Sequence, residues 1–267
     1  MLIAQLSDPH VRPPGLLYQG LVDSNAMFAA AVEQVRQLRP RPDVVLISGD
    51  LVDDGADAAY AEVLRLLASL DMPLLMVPGN HDARVGFRQW LGERHAVPLP
   101  VEGPLHWVAD TLGEVRLIGL DLCVEGEHHG EMSEAAVEWL EAVLRQAPER
   151  PTLLMMHFPP FISGIAYIDV YRCYRGERLA ALLRRFPAVE RVVCGHIHRH
   201  MSLRFGGTLL VTAPSTTTAI ALRLAPYASE ASYLEPPGLL LHEWRNGRGM
   251  LTHWLPVGNF TGPWPFA

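Results

Sequence analysis

The 267 residues predict an α/β fold with a layered core of sheet and helix, and two observations carry that prediction. As far as Gly195, apolar runs of strand length alternate with longer amphipathic runs, the rhythm of strand–helix–strand crossovers. Clusters of Gly, Asp, Asn and His follow the apolar runs directly, at the strand ends where ligands gather in open α/β sheets.

Taken in order, Leu2–Leu6, Val44–Ser48, Leu74–Val77, Val115–Leu120, Leu153–Met156 and Arg191–Cys194 read as strands, short and mostly apolar on both faces. Between them, Ser24–Leu38, Asp57–Leu70, Arg84–Arg94, Ser133–Gln146 and Gly176–Phe186 read as helices. Ser24 and Ser133 stand as N-caps, each a hydroxyl able to accept from an unpaired first-turn amide. Beyond Gly195, Leu203–Phe205, Thr208–Thr212, Leu239–Trp244 and Met250–Leu255 read as strands, the last two joined by a hairpin turn at Asn246-Gly247. The stretch Ala225–Gly238, rich in Pro and Ser, reads as a long loop facing substrate or another subunit. No repeat or low-complexity tract divides the chain, so a single domain over residues 1–267 is expected.

Composition narrows the function. With 49% apolar residues the chain can bury a large core, which argues against disorder. No run approaches the roughly 18 apolar residues needed to span a bilayer, and the amino terminus reads as a core strand rather than a signal peptide. A cytoplasmic protein off the membrane is expected. Cys123, Cys173 and Cys194 are an odd number without metal-type spacing and read as reduced thiols. A net charge of −7 argues against a nucleic-acid partner. It does not argue against a small anion, because bound cations can reverse the charge locally.

The chemistry lies in five clusters: Asp8-Pro9-His10, Gly49-Asp50, Gly79-Asn80-His81-Asp82, His157, and Gly195-His196-Ile197-His198. Imidazole and carboxylate together suit borderline metals such as Zn, Mn, Fe or Co, whereas carboxylates alone would favour Mg or Ca. Seven donors are too many for one ion and suit two, with Asp50 as a shared bridge. Two ions about 3.5–4 Å apart can clamp the attacking and leaving oxygens of a phosphoryl displacement. Singly, Asp-x-His occurs by chance and Gly-Asp is most often a plain turn; all five in order at strand ends are a far stronger signal.

Those same motifs resemble the calcineurin-like metallophosphoesterase superfamily, with every ligand position of its signature filled between residues 8 and 198. Within it the chain resembles the bacterial class III cyclic-nucleotide phosphodiesterases and their glycerophosphodiesterase relatives, most of all the enterobacterial-type glycerophosphodiesterases. Tyr18-x-Gly20, Asp23, Asn25 and the late Gly262-Pro263-Trp264 carry that finer likeness. The resemblance implies a four-layer α/β/β/α sandwich with two central mixed sheets. It implies one metal on Asp8, His10, Asp50 and His198 and a second on Asp50, Asn80, His157 and His196. It further implies hydrolysis of small organic phosphodiesters, glycerophosphodiesters first and 3′,5′-cAMP as the alternative, by attack of a metal-bound hydroxide. Homodimers or higher homo-oligomers are expected, with cap or oligomerisation elements in residues from about 213 to 267. A non-catalytic scaffold would have lost ligands or the Asn80-His81 pair, and neither is missing.

His81, one histidine more than the ligand set needs, lies in the family beside the leaving-group oxygen, as hydrogen-bond donor or general acid. Histidine suits either role because its ordinary pKa is near neutrality. Asp82 reads as its orienting partner or as the start of the next helix. His128 and His129, in the loop after the strand ending near Asp121, are candidates to reach substrate. Phe158-Pro159-Pro160 reads either as a pocket wall or as a packed loop.

Overall fold

Period-two alternation along the first strand sets the layering. In β1 (Leu2–Leu6), Ile3 and Gln5 face one way while Ala4 and Leu6 face the other, and all four are buried. The computed structural model describes residues 1–262, 264 and 265; Pro263, part of the late Gly-Pro-Trp likeness, lies outside the described residues. After β1 come α1 (Ser24–Gln37), β2 (Val44–Ile47), α2 (Asp57–Leu67), β3 (Leu74–Met76) and α3 (Arg84–Leu91). The middle of the chain forms β4 (Trp107–Ala109), β5 (Arg116–Leu120), β6 (Gly130–Glu131), α4 (Glu134–Gln146), β7 (Thr152–Met156), α5 (Ala166–Asp169), β8 (Cys173–Tyr174), α6 (Gly176–Leu183) and β9 (Val189–Cys194). Six strands follow: β10 (Met201–Phe205), β11 (Thr208–Thr212), β12 (Ala219–Ile220), β13 (Ser232–Tyr233), β14 (Gly238–Arg245) and β15 (Gly249–Pro256).

Two mixed sheets result, ordered β15-β14-β1-β2-β3 and β10-β11-β9-β7-β5-β4. Strands β1, β2 and β3 of the first and β5, β7, β9 and β11 of the second run parallel, so their carboxyl ends share an edge. Ile3, Leu46 and Leu240 of one sheet pack on Leu153, Met155 and Val193 of the other, forming a core between the sheets. The outer faces pack on helices: Leu6 and Ile47 with Phe28, Tyr60 and Phe87 on one side, Leu154 and Val192 with Leu140 and Leu179 on the other. The four layers are therefore α/β/β/α, as the family resemblance implied. Among the described residues no helix is long and apolar enough to cross a membrane.

The differences from expectation are local. Three helices end about one turn early, at Leu67, Leu91 and Leu183. Ser133 caps α4 by accepting from the Ala136 amide. Ser24 is not a cap: Asp23, one residue earlier and a stronger acceptor, takes the Ala26 amide. The Ser24 hydroxyl instead donates to the His10 carbonyl at 2.8 Å, tying helix to site loop. The β14–β15 hairpin pairs Arg245 with Gly249, so its loop has three residues, with Gly247 at φ +73°. Within the long loop, Ser232–Tyr233 pairs with Ala219–Ile220 as a small ribbon beside the site.

Candidate metal centre

Asp8 follows β1, Asp50 follows β2, Asn80 and His81 follow β3, His157 follows β7, and His196 and His198 follow β9. The parallel carboxyl ends of both sheets thus bring all five clusters together. Asp8, His10 and His198 form one compact donor group and Asp50, His157 and His196 another, all six buried. Asp50 lies between them, with Oδ2 3.3 Å from His157 Nε2 and 3.7 Å from His10 Nε2. Asp8 Oδ1 lies 3.5 Å from His198 Nε2.

The backbone there is unusual. Seven non-glycine residues among those described have positive φ, and five are Asp8 (50°), His10 (43°), Asp50 (50°), His196 (69°) and His198 (55°). The left-handed region costs an ordinary residue about 1–2 kcal/mol, and such strain gathers at functional sites. The glycines of the motifs permit close approach. A Cβ at Gly79 would overlap the Asp50 carboxylate, and one at Gly195 would overlap Ser7 Oγ and Asp8 Oδ2.

Hydrogen bonds on the outer nitrogens decide which way the rings present themselves. His157 Nδ1 donates to the Ser48 carbonyl at 2.7 Å and His198 Nδ1 to the Thr218 carbonyl at 2.8 Å. Carbonyls only accept, so in the neutral rings each Nε2 is a bare lone pair. His198 Nε2 faces His10 Nε2 at 3.1 Å, and His157 Nε2 faces His196 Nδ1 at 3.2 Å as well as the Asp50 carboxylate. His196 Nε2 and Asn80 Oδ1 are buried without a hydrogen-bond partner among the described residues. Two carboxylates, four imidazoles and a side-chain amide oxygen gathered in one buried place offer the donor types that borderline metals take, so the side chains fit a metal-binding centre.

The titration of these groups agrees. Burial raises a carboxyl, yet His157, His81 and His10 hold Asp50 well below the usual carboxylate range. Burial pushes His157 down, and Asp50 outweighs it, raising that ring to about 9. Burial lowers His198 to about 4; burial, with His157 beside it, holds His196 well below the ordinary histidine value. Positive charge is favoured beside Asp50 and cannot spread over neighbouring rings.

A cavity of about 460 Å³ opens above these residues. His81 and Asn80 line it, as does His128, whose Nδ1 lies 3.5 Å from Asn80 Nδ2. His129 turns away onto the Tyr174 ring. Phe158 is fully buried, in edge contact with His157 and near the His196 ring, a packed loop rather than a wall. Tyr18 lines the cavity and stacks on His10 at 4.8 Å. The Ala225–Gly238 loop sends Glu230, Ala231 and Ser232 to the wall.

Asp82 does neither thing expected of it. The cap of α3 is Ala83. The Asp82 carboxylate instead accepts from the amides of Gly79 (2.9 Å), Leu51 (3.1 Å) and Val52 (3.3 Å), binding the Asp50 and Asn80 loops together. The residue that orients His81 is Asp53, which sequence reasoning missed. Its carbonyl accepts from His81 Nδ1 at 2.7 Å, and its carboxylate lies 3.4 Å from His10 Nδ1. An acid three residues after the bridging-type Asp50 was the available signal. Tyr167 and Tyr171, also on the cavity, had none.

The sequence profile of the calcineurin-like phosphoesterase family matches residues 1–200, and the chain belongs to that family. It is similar to the glycerophosphodiester phosphodiesterase GpdQ of Enterobacter lignolyticus, 34% identical over 270 residues that cover 99% of this chain and 94% of the relative. It is also similar to the 3′,5′-cyclic adenosine monophosphate phosphodiesterase CpdA of Escherichia coli, 32% identical over 217 residues that cover 80% and 75%. A dimetal phosphatase from Danio rerio shares the fold, with a TM-score of 0.64 at 17% identity over 97% of this chain and 99% of that one.

Proposed function

We propose that the protein is a binuclear metal-dependent phosphodiesterase that hydrolyses small organic phosphodiesters, glycerophosphodiesters foremost. The observation that carries this is the convergence of the Asp8 and Asp50 carboxylates with four histidine rings, and of an Asn80 Oδ1 that has no partner among the described residues, under an open cavity. Asp8, His10, Asp50 and His198 hold one ion, and Asp50, Asn80, His157 and His196 the other. Two ions drawn from Fe, Mn, Zn or Co supply Lewis acidity that offsets the phosphate charge and makes water nucleophilic at neutral pH.

The protein's own groups do the rest. The Asp53 carbonyl accepts from His81 Nδ1, so Nε2 serves the leaving oxygen as hydrogen-bond donor or acid in the protonated ring, the form that, against burial, Asp50 and Asp53 favour. Beyond Asp50, the cavity wall carries one carboxylate among the described residues, Glu230, and the rings of Tyr18, Tyr167 and Tyr171. That lining suits an alcohol arm bearing an ammonium group. The tyrosine faces also suit an adenine ring, so 3′,5′-cAMP is the second reading, and CpdA supports it.

Residues 1–267 act as one unit, supported by the shared inter-sheet core and by β14 pairing directly with β1. Exposed Leu222, Leu224, Tyr227 and Leu234 beside the cavity segment suit a homo-oligomer built through residues from about 213 onward. Three free thiols suit the cytoplasm. The test is kcat/KM for glycerophosphoethanolamine, glycerophosphocholine and 3′,5′-cAMP under one metal condition, with metal content and bis(p-nitrophenyl) phosphate hydrolysis in parallel. Preference for the glycerophosphodiesters is expected. Preference for cAMP moves the substrate to the second reading; no metal uptake and no hydrolysis overturns the function.

A further inference from the structure

A line of polar side chains crosses the apolar core between the two sheets. Gln5, Ser7, Asp8, Ser48 and His242 are each fully buried there, among Ile3, Leu46, Leu240 and Val193. Buried polar groups are costly unless every one is satisfied, and these satisfy one another in sequence. Gln5 Nε2 donates to the Cys194 carbonyl at 3.1 Å; a carbonyl only accepts, which fixes the amide's orientation. The same Nε2 donates to Ser48 Oγ at 2.8 Å, Ser48 Oγ donates to Ser7 Oγ at 2.7 Å, and Ser7 Oγ donates to Asp8 Oδ2. At the other end, Gln5 Oε1 must accept, so His242 Nε2 carries the proton at 3.0 Å. His242 Nδ1 then accepts from Thr252 Oγ1 at 2.9 Å. Both ends impose one direction: every hydroxyl, amide and ring points its proton toward Asp8.

We infer that this chain is a positioning relay, through which His242 and Thr252 of the β14–β15 hairpin set the orientation of Asp8. Hydrogen bonds aligned head to tail polarise one another, so Ser7 is a better donor with the relay intact than alone. Asp8 Oδ2 then accepts from Ser7, the His196 amide is shared between Oδ1 (3.0 Å) and Oδ2 (3.1 Å), and Oδ1 faces His198 Nε2. Removing Ser48 takes away the hydroxyl that donates to Ser7, and a cut further out removes the polarisation that reaches Ser7 through Gln5 and Ser48. The outer residues lie beyond the 1–200 segment that matches the family, so the relay couples the carboxyl-terminal hairpin to the family's site. The inference rests on Asp8 as a metal-holding residue.

The experiment measures Zn²⁺ affinity by chelator competition, with thermal stability as a second readout, on the full chain. His242→Phe and Ser48→Ala each interrupt the line. Each should weaken the affinity about tenfold, the lower end for outer partners of metal ligands. The double variant should be no weaker than the worse single one, because a line once cut cannot be cut again. His242→Gln, which can donate to Gln5 and accept from Thr252, should restore the affinity to within about threefold. Independent structural defects would add in the double variant, and the glutamine would not rescue; either result overturns the relay. So does unchanged affinity in folded His242→Phe. If His242→Phe does not fold, Thr252→Val takes its place, and its loss must vanish in the Ser48→Ala background. Failure of the wild type itself to bind Zn²⁺ would instead mark failure of the functional reading.

Discussion

Replacing Asp82 by alanine should destabilise the protein without touching a side chain proposed to hold metal. The carboxylate accepts from three backbone amides, those of Gly79, Leu51 and Val52, and from the Tyr60 hydroxyl at 3.4 Å. Alanine leaves three amides without a partner. Each costs about 1–3 kcal/mol when stranded; water can reach this half-buried position, so the lower end applies, about 3–4 kcal/mol in all. For a chain of this size about 1 kcal/mol corresponds to roughly 2–4 °C, which gives a fall in Tm of about 10 °C. The amides belong to the loops that carry Asp50 and Asn80, so metal affinity should fall with stability while His81, held by Asp53, keeps its orientation. Calorimetry of wild type and Asp82→Ala, with metal content assayed on the same samples, reads both. A Tm within about 2 °C of wild type would refute the stapling role. Full stability with loss of turnover alone would return Asp82 to the role of orienting His81.

Three further outcomes are expected. His81→Ala should retain its metals and lose about 10²–10³ in turnover on an alkyl diester, the usual cost of one transition-state donor; a much smaller loss on a p-nitrophenyl diester would identify an acid, equal losses a donor, and loss of metal a structural residue. Gly79→Ala should bind metal poorly, since its Cβ would overlap the Asp50 carboxylate; normal metal content would contradict the close approach. Burial lowers His242 to about 3, with Arg191 and His200 adding to it. The folded state therefore resists a proton that the unfolded chain accepts near pH 6.5, and stability present above that pH is lost as pH falls toward 3, at about 1.4 kcal/mol per unit. Denaturant unfolding between pH 7 and 5 should show a shallower loss in His242→Gln than in wild type, and parallel curves would refute it.

The six strands and five helices read up to Gly195 were legible because apolar period and length are properties of the chain itself, whereas β4, β6, α5 and β8 are too short to show a period. The five clusters were legible for the same reason: Gly-Asn-His-Asp and Gly-His-x-His are spelled out in consecutive residues. Helix ends were overshot because a last turn is decided by what packs on it, and the Ser24 cap was misplaced because Asp23 beside it competes as an acceptor. What only the tertiary structure decided is everything joined across distance. That Asp8 and His198, 190 positions apart, face each other depends on two sheets presenting their parallel edges together. That Asp53 rather than Asp82 orients His81 depends on a left-handed turn at Asp50. Likewise, β14 lies beside β1, and only that pairing makes His242 and Gln5 hydrogen-bonding partners. Local pattern reports the free energy of short segments; directional contacts between remote side chains exist only once the core has closed around them.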